Sequence, residues 1–191
     1  MPRSLTPGAR RVLDVAARLF YERGLHAVGV DLIAAESGVT KRTLYDRFGS
    51  KNALVTAYLE ERDERWRDRV RARLDELDEP ARRVLAPFDV LVTWVPDNPR
   101  GCAFVNASAE LPDAGHPARA VVVGEKEWLR ELFRTELAAA GAPDPGPAAL
   151  TLLLLHEGAL AAAGAAGMDD APGAARRAAG TVCAQAVGSP G

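Results

Sequence analysis

The spacing of the apolar residues constrains the fold of this chain more than any other feature. Nearly every segment repeats its apolar residues at intervals of three or four, as Val12, Ala16, Leu19 and Phe20 do, and no segment alternates convincingly between polar and apolar residues. The first pattern is typical of a helix buried along one face, whereas alternation would indicate a β-strand. The sequence therefore predicts an all-α fold, with about nine helices in 191 residues.

Turn and capping residues set the predicted helix boundaries. Glycine ends helices, Ser and Thr cap their first turns, and proline either begins a helix or kinks it. The first predicted helix ends at Gly24. Thr40 is predicted to cap the helix over Lys41–Phe48, and Ser50 is predicted to cap the helix from Lys51 to about Asp78. The other predicted helices cover Val30–Ser37, 80–95 with a kink at Pro87, a short stretch around Phe104, a long stretch from Pro117, and about 148–166 and 171–187.

The charge of the chain is divided unevenly between its two ends. Residues 1–51 contain nine Lys and Arg against five Asp and Glu, a formal charge of +4. The totals of 24 basic and 26 acidic residues leave 15 and 21 for residues 52–191, a formal charge of −6. A basic end on a chain whose net charge is −2 indicates that this end faces a polyanion.

A helix-turn-helix pattern explains how the short third helix is held. Ala34 and Gly38 are four residues apart, and Leu44 follows six residues later. A small residue lets the second helix of such a motif cross the first closely, and glycine takes the backbone through the tight turn. Val39 and Leu44 are then expected to anchor the short helix in a core, because a helix of this length is not stable alone in water.

The outward face of the short helix is rich in side chains that bind DNA. Lys and Arg pair with phosphates, Arg also binds guanine through two parallel hydrogen bonds, and Thr and Tyr hydroxyls suit phosphate or thymine. Lys51 adds a cation at the start of the next helix, where free backbone amides favour an anion. These features predict a surface for double-stranded DNA, and the alternative is an ordinary solvated helix face. With Leu44 and Phe48 turned inward, the side chains left on this face are Lys41, Arg42, Thr43, Tyr45, Asp46 and Arg47.

A family resemblance is carried by residues 32–55, which read LIAAESGVTKRTLYDRFGSKNALV. This stretch resembles the signature of the tetracycline-repressor (TetR) family of bacterial transcription regulators, which is close to IA-x-x-AGVSKGTLYHHFPSKEAL. The resemblance is specific over residues 9–58, and beyond them it rests on length and helical organisation. Thr40 stands where the signature has Ser, and the matching positions are Ile33, Ala34, Gly38, Val39, Lys41, Thr43, Leu44, Tyr45, Phe48, Ser50, Lys51, Ala53 and Leu54.

The resemblance implies a homodimeric, all-α transcriptional regulator with two domains. Residues 1–50 would form a three-helix DNA-binding domain, and residues 51–191 would bind a small-molecule effector and dimerise through the last two helices. Repression at a palindromic operator, relieved by the effector, is the usual mode of the family. By resemblance, phosphates are held by Thr40, Tyr45, Arg47 and Lys51, and base edges lie near Lys41, Arg42 and Thr43.

Two departures from the family signature bear on DNA binding. Gly29 stands where the family often has a Ser or Thr that caps the second helix, so neither that cap nor its phosphate contact is expected here. Asp46 replaces a commoner aromatic residue or His. A carboxylate at this position repels phosphate but can accept a hydrogen bond from a cytosine amine, so we expect an unusual sequence preference.

Large side chains in the C-terminal part are the candidates for lining an effector site. His156 and Glu157 interrupt an otherwise apolar helix, and two buried polar residues there would need partners. They either satisfy each other at a dimer seam or orient an effector, and the sequence leaves both interpretations open. The candidates by size and chemistry are Trp94, Phe104, Trp128 and His156, with Phe133 as a further large residue.

Other functions find less support in the sequence. His26, His116 and His156 are scattered, and no HExxH, GxSxG or P-loop motif is present, so we expect no enzymatic activity, metal site or cofactor. Cys102 and Cys183 are far apart and are interpreted as buried thiols. The alternatives are a cysteine-based redox-responsive regulator on the same scaffold, a helical enzyme, and a helical adaptor that does not bind DNA.

The sequence also gives an expectation for localisation. The stretch MPRSLTPGARR lacks the apolar run of a signal peptide. The longest apolar stretch, 148–166, is rich in Ala and Gly and is interrupted at 156–158, which suits close helix packing better than a lipid span. We therefore expect a cytoplasmic protein without a membrane partner.

Overall fold

The computed structural model describes residues 5–113 and 115–188. Every regular element in these residues is helical and none is a β-strand, which confirms the predicted all-α fold. The helices are α1 (Pro7–Arg23), α2 (Val30–Ser37), α3 (Lys41–Phe48), α4 (Lys51–Asp75), α5 (Pro80–Arg83), α6 (Ala86–Trp94), α7 (Ala103–Glu110), α8 (Pro117–Ala139), α9 (Pro145–Ala166) and α10 (Ala171–Gly188), with a 3-10 turn at Val95–Asp97.

Most predicted boundaries agree with the structure because local residues set them. α2 and α3 begin and end where the sequence predicted, and α1 ends at the residue before Gly24. α4 ends at Asp75, somewhat earlier than the expected end near Asp78. The two C-terminal helices also lie close to their predicted ranges.

The helix predicted over 80–95 is instead two helices. α5 ends at Arg83 and α6 begins at Ala86, so Pro87 lies in the first turn of α6 and does not kink a longer helix. A proline has no N–H, and its ring collides with the carbonyl group four residues earlier, which here belongs to Arg83. The helix therefore breaks before Pro87. If the one-turn α5 is set aside, the described residues contain the nine helices that were predicted.

The described residues fall into two compact units. Unit 1 comprises the residues up to Asp63 together with Ala103–Val123, and unit 2 comprises Glu64–Cys102 together with the residues from Gly124 onwards. α4 and α8 each contribute residues to both units. These boundaries differ from the predicted domains, 1–50 and 51–191, because unit 1 also takes in the first half of α4 and all of α7. The functional division at residue 50 stays a prediction.

Unit 1 is built around α1. One face of α1 is buried along its length, and α2 and α3 both pack against this helix. Ile33 of α2 and Leu44 of α3 are fully buried. The first half of α4 completes the core, where the Tyr58 ring lies 5.9 Å from the Phe20 ring. Burial of side chains of this size contributes about 1.5–3 kcal/mol each, which offsets the cost of ordering three short segments.

Unit 2 has an aromatic core beside a closely packed pair of helices. The rings of Phe88 and Phe133 are 5.7 Å apart, and the rings of Trp66 and Trp94 are 5.4 Å apart. α10 packs along α9 and also against α6. The Ala and Gly residues of α9 and α10 allow this close approach, because small side chains keep the two backbones near each other.

Arg83 ties three segments of unit 2 together. Its guanidinium donates hydrogen bonds to both carboxylate oxygens of Glu136, at 2.8 and 2.9 Å. It also donates to the backbone carbonyl groups of Leu74 at 2.9 Å and Leu77 at 3.2 Å. The same side chain therefore binds the Leu74 carbonyl in the last turn of α4 and the Leu77 carbonyl just beyond it, and anchors that end of α4 to α8.

α9 is long and apolar enough to cross a membrane, judged by length and composition alone. In unit 2, however, α9 packs along α10, and its central His156 is buried. The neighbouring Glu157 forms an ion pair with Lys126 of α8 at 2.8 Å. The ion pair with α8 and the packing along α10 place one side of α9 inside unit 2, which fits the close helix packing expected from the sequence. The absence of a membrane partner stays a prediction.

The backbones of Gly164 and Gly101 touch in unit 2. A Cβ atom at Gly164 would lie 2.5 Å from both the nitrogen and the Cα of Gly101, and 2.8 Å from the carbonyl carbon of Arg100. Gly101 has a φ of 70°, which a larger residue rarely adopts. Because the obstructing atoms are backbone atoms, no rotamer change can make room for a side chain.

We expect Gly164→Ala to destabilise the protein by about 3 kcal/mol, since the added methyl group forces two backbone segments apart. Gly124→Ala is the matched control, because Gly124 is also helical and its Cβ would meet no atom within 4 Å. The control should raise stability by up to about 1 kcal/mol through helix propensity. Thermal unfolding of both variants tests this contact, and equal midpoints would contradict it.

Candidate nucleic-acid interface

α3 is a short helix whose stability comes from its contacts in unit 1. It has eight residues, which is below the length at which a helix persists alone in water. Leu44 is fully buried, Phe48 is half-buried, and the helix packs on both α1 and α2. The prediction that Leu44 anchors α3 in the core is therefore confirmed. Val39 is only half-buried and contributes less than expected.

The turn between α2 and α3 depends on a glycine. Gly38 adopts a left-handed conformation, with φ of 66° and ψ of 28°, as its place in the helix-turn-helix pattern predicted. The Val39 N–H donates to the Ala34 carbonyl at 3.2 Å, and the Gly38 N–H donates to the Ala35 carbonyl at 3.3 Å. This αL glycine is a standard helix C-cap, and it starts α3 within a few residues of the end of α2.

Side-chain caps fix the first turns of α3 and α4. The Thr40 hydroxyl accepts a hydrogen bond from the Thr43 N–H at 3.1 Å, and the Ser50 hydroxyl accepts one from the Ala53 N–H at 3.0 Å. Both caps were predicted. Gly29, at the start of α2, makes no side-chain cap, which was also expected. Each side-chain cap contributes about 1 kcal/mol, so the two helix starts at this surface are well defined.

The structure leaves all seven predicted DNA-binding residues accessible to solvent. Leu44 and Phe48 face the core, so the remaining side chains of α3 point outward or to the side. Arg42 is almost fully open, with 91% of its side chain exposed. Thr43 and Lys51 are half-buried, and the exposed members are Thr40, Lys41, Arg42, Tyr45 and Arg47. Their contact with DNA stays a prediction.

The cations on this surface differ in how they are paired. Lys41 forms an ion pair with Asp31 of α2, so its ammonium is held toward α2. The Arg42 Nε atom is 3.9 Å from the Asp46 carboxylate, which is too far for a hydrogen bond. Arg47 has no ion-pair partner among residues 5–113 and 115–188. Arg42 and Arg47 are therefore the guanidinium groups of α3 most available to an incoming anion.

Lys51 combines a side-chain cation with the N-terminal turn of α4. Partial burial lowers the pKa of Lys51, and the negative charge of Glu110 opposes this effect without cancelling it. The exposed peptide dipoles at a helix start favour an anion, and an ammonium group beside them adds to that preference. Both the helix dipoles and the ammonium charge would therefore favour a DNA phosphate at this end of α4.

Glu110 organises the loop between α1 and α2, and sequence analysis missed it. One carboxylate accepts hydrogen bonds from the Leu25 N–H at 3.0 Å and the His26 N–H at 2.8 Å, and it also lies 3.2 Å from His26 Nδ1. Burial alone would raise the pKa of Glu110, but the hydrogen bonds from His26 and Leu25 outweigh it and hold the pKa below its usual value. This side chain at the end of α7 therefore fixes the connection that positions α2.

The predicted effector-lining residues are divided between the two units. Phe104 belongs to unit 1, whereas Trp94, Trp128 and His156 belong to unit 2. Trp94 and His156 are buried against Trp66, and Trp128 is half-buried beneath the Arg67 guanidinium.

A surface cavity in unit 2 is lined by other residues. It has a volume of about 680 Å³ and lies between the end of α6, the end of α9 and the start of α10. None of the four predicted effector-lining residues contributes to its wall, so their contact with an effector stays a prediction. Small and apolar residues form much of the wall, which consists of Val92, Val95, Pro96, Pro99, Ala163, Gly164, Gly167, Asp169, Asp170, Pro172, Gly173 and Arg177.

The two cysteines are buried in separate places within unit 2. The Cys102 sulfur lies 3.4 Å from the Lys126 ammonium, whereas the Cys183 thiol faces the Ala81 carbonyl at 3.9 Å. Burial raises the pKa of Cys183, which disfavours the thiolate form of this side chain. The sequence interpretation of two buried thiols is confirmed. A redox role for Cys102 stays an alternative that nothing here tests.

Comparison with protein families identifies the N-terminal helices. A family model described as bacterial regulatory proteins of the tetR family matches residues 12–58. The matched range begins within α1 and ends in the first part of α4, so it contains the complete helix-turn-helix and its exposed face.

Known proteins resemble the chain well beyond this range. The crystal structure of SCO4454, a TetR-family transcriptional regulator from Streptomyces coelicolor, shares 32% identity with a TM-score of 0.90, and the match covers 94% of this chain and 96% of that one. An uncharacterized HTH-type transcriptional regulator of Mycobacterium tuberculosis is 31% identical over 137 residues, or 72% of this chain and 65% of the relative. The HTH-type transcriptional repressor KstR2 of Rhodococcus jostii is 34% identical over 119 residues, or 62% of this chain and 50% of the relative. The chain thus spans between half and two thirds of the length of these two curated relatives.

We expect Glu110→Gln to weaken unit 1 at neutral pH by about 1 kcal/mol, because a Gln side chain offers one acceptor oxygen to two backbone N–H groups. The pKa of Glu110 is lower in the folded state than in the unfolded state, so its contribution is present at neutral pH and is lost as the pH falls through the folded-state pKa. The wild-type protein should therefore lose more stability than the variant between about pH 5 and about pH 3.

Urea unfolding at several pH values measures this difference. Glu60→Gln is the matched control, since Glu60 is exposed on α4 in the same unit. It should retain the pH dependence of the wild-type protein. If Glu110→Gln retained that dependence as well, the carboxylate would not be stabilising the loop between α1 and α2.

Proposed function

The chain belongs to the TetR family of bacterial transcriptional regulators, and from this premise we propose that it binds operator DNA through α3 and the first turn of α4. It is a transcriptional regulator rather than an enzyme, as its relatives are. The observation that carries the proposal is the accessible set of cations and hydroxyls on a helix whose opposite side is anchored by Leu44. α3 enters the major groove in this proposal, and Lys51 holds a phosphate at its edge.

The regulator acts as a homodimer in this proposal, with α9 and α10 as the interface. α9 carries exposed apolar residues one turn apart, Leu150 and Leu154, and 63% of Leu154 is accessible in the single chain. The exposed positions of α10 include the small residues Ala174 and Ala178, which allow close helix packing. Two copies related by a two-fold axis place their α3 helices roughly 34–36 Å apart, so the operator is palindromic.

In this proposal the regulator is a repressor, and an effector releases it from the DNA. Repression is also the mode given in the name of one relative. The KstR2 relative is named a repressor. An effector that binds more tightly to a dimer arrangement with the wrong α3 spacing lowers operator affinity in proportion to that preference. Binding to the α3 surface itself is not needed, because a change in the spacing of the two recognition helices is sufficient.

We expect two arginines of α3 to have different roles at the operator. Arg47→Ala should weaken binding evenly across sequences and reduce the salt dependence by about one counterion, as loss of a phosphate contact does. Arg42→Ala should instead change which base is preferred, with a discrimination loss of about 1–3 kcal/mol.

Selection of bound DNA from a random pool, followed by binding titrations at several salt concentrations, measures both effects. Arg130→Ala is the matched control, because Arg130 is an exposed arginine of unit 2. It should leave affinity and sequence preference unchanged. Unchanged preference in Arg42→Ala would overturn the assignment of this residue to base contacts, and failure of the wild-type protein to bind DNA would overturn the proposed function.

We expect Leu154→Glu to produce a monomer, because it places a carboxylate in the apolar face of α9. Val105→Glu is the matched control, since Val105 is similarly exposed, at 51%, but lies on α7. Analytical ultracentrifugation distinguishes the two outcomes directly. A monomeric wild-type protein, or a dimeric Leu154→Glu variant, would contradict the proposed interface.

A further inference from the structure

Buried polar atoms that lack hydrogen-bond partners are concentrated at one place in unit 2. Across residues 5–113 and 115–188, every enclosed side-chain nitrogen or oxygen of this kind belongs to Trp66, Glu125 or His156. The Trp66 and His156 rings are 5.3 Å apart. Glu125 is paired with Lys126 at 2.7 Å, and Lys126 also holds Glu157, the sequence neighbour of His156. We call these five residues the His156 cluster.

Apart from one oxygen of Glu125, the atoms of the cluster that lack hydrogen-bond partners are the nitrogens of the two rings, His156 and Trp66. Glu125 is buried but already has the Lys126 ammonium beside it. The Nδ1 atom of His156 is 3.5 Å from the Glu157 carboxylate, at the outer limit of a hydrogen bond, and its Nε2 atom has no partner in the described structure. The Trp66 N–H likewise has no acceptor. Trp66 is 4% exposed and His156 2% exposed, so solvent does not supply the missing partners.

Polar atoms that are buried without hydrogen-bond partners do not stabilise a protein core. An unpaired buried donor or acceptor loses its hydration without compensation, whereas Phe or Leu would fill the same space at no such cost. Such groups in a folded protein call for an explanation, which can be a functional role, a bound ion or an ordered water molecule. His156 contacts Trp66 and Phe88 inside a single chain. That location disfavours the dimer-seam interpretation of His156 and favours the effector interpretation.

The chemistry of the cluster narrows the molecule that would satisfy it. The Trp66 N–H can only donate, so it needs an acceptor, and a neutral imidazole offers one donor and one acceptor. Burial raises the pKa of Glu125 despite the opposing effect of Lys126. Lys126 is paired with the carboxylates of both Glu125 and Glu157, so no positive charge is left over to attract an anion. The surrounding rings, including Phe88 and Trp94, suit an apolar ring.

We propose that the His156 cluster binds the polar end of an uncharged ring compound, whose carbonyl or hydroxyl oxygen accepts a hydrogen bond from Trp66 and pairs with His156. This inference rests on the proposed function, since the compound would be the effector of the regulator. It adds Trp66 to the predicted effector residues and excludes an anionic effector at this site.

Binding at this position must displace aromatic side chains. The ring nitrogens are enclosed in the structure, so an oxygen reaches them only when the rings around His156 separate. Ligand binding at such a site selects an arrangement of unit 2 different from the one described here. A regulator needs this property, because only a ligand with different affinities for two arrangements can shift the balance between them.

The stability of the free protein is the first test. His156→Leu removes the unpaired nitrogens at similar volume, and we expect its thermal midpoint to rise by about 2–4 °C in the absence of any ligand. Phe88→Leu is the control, because it removes packing at the same ring cluster without removing a polar atom, and its midpoint should fall. A fall in the midpoint of His156→Leu would show that buried water or another partner satisfies His156, and the proposal would be overturned.

Probe binding to the free protein is the second test. Acetophenone and isopropylbenzene have similar shapes, but only acetophenone carries a carbonyl oxygen, and benzoate supplies the anionic comparison. By calorimetry we expect acetophenone to bind at least about tenfold more tightly than either, which corresponds to at least one good hydrogen bond. Trp66→Phe and His156→Leu should each reduce that preference about fivefold or more.

The possible outcomes test this inference and the proposed function independently of each other. Equal binding of acetophenone and isopropylbenzene, preference for benzoate, or no binding of any probe overturns the inference even if the protein binds operator DNA. Conversely, selective acetophenone binding in a protein that ignores DNA supports the site and overturns its role as an effector site. The DNA measurement uses wild-type protein without a probe, so the two results do not depend on each other.

Discussion

The burial of Leu44 is the interaction on which the proposed DNA-binding surface depends. α3 has too few residues to persist as an isolated helix, and its exposed residues would lose their common geometry without an anchor. Leu44 is fully buried against the core that α1 and α2 provide, while the Gly38 turn fixes the direction in which α3 leaves α2. One apolar contact and one glycine conformation thus determine which side of α3 faces solvent. The helical period then determines which cations lie on the exposed side.

The elements that could be predicted from the sequence are those set by neighbouring residues, whereas the contacts that could not be predicted join residues distant in the chain. Gly38, Thr40 and Ser50 act on residues within a few positions, so the bounds of α2 and α3 and the start of α4 could be predicted. Glu110 accepts hydrogen bonds from residues 84 and 85 positions away, and no periodicity reveals such a pairing. The ion pair between Lys41 and Asp31 is similar, because each residue looks like an ordinary exposed charge in the sequence.

In the C-terminal part, too, contacts between residues distant in the chain could not be predicted from the sequence. The sequence identified His156 as anomalous, since a polar residue interrupts an apolar helix, but it could not identify the neighbours. Trp66 comes from α4 and Lys126 from α8, and only the fold brings them beside α9. The two interpretations left open by the sequence differ in what surrounds the His156 ring. The structure shows that this ring is enclosed within a single chain, and the role of His156 in effector binding stays a proposal.

The two candidate sites therefore hold their unpaired polar groups at very different cost. Arg42 and Arg47 are hydrated, so an unbound α3 surface costs little free energy, and the gain on binding comes from counterions released by the phosphates. The ring nitrogens of Trp66 and His156 are dehydrated, so unit 2 is less stable without a partner for them than an apolar core of the same shape would be. A buried site of this kind stores part of its binding free energy as lost stability of the unbound protein. That is the condition under which a small neutral molecule can shift a conformational balance despite making few contacts.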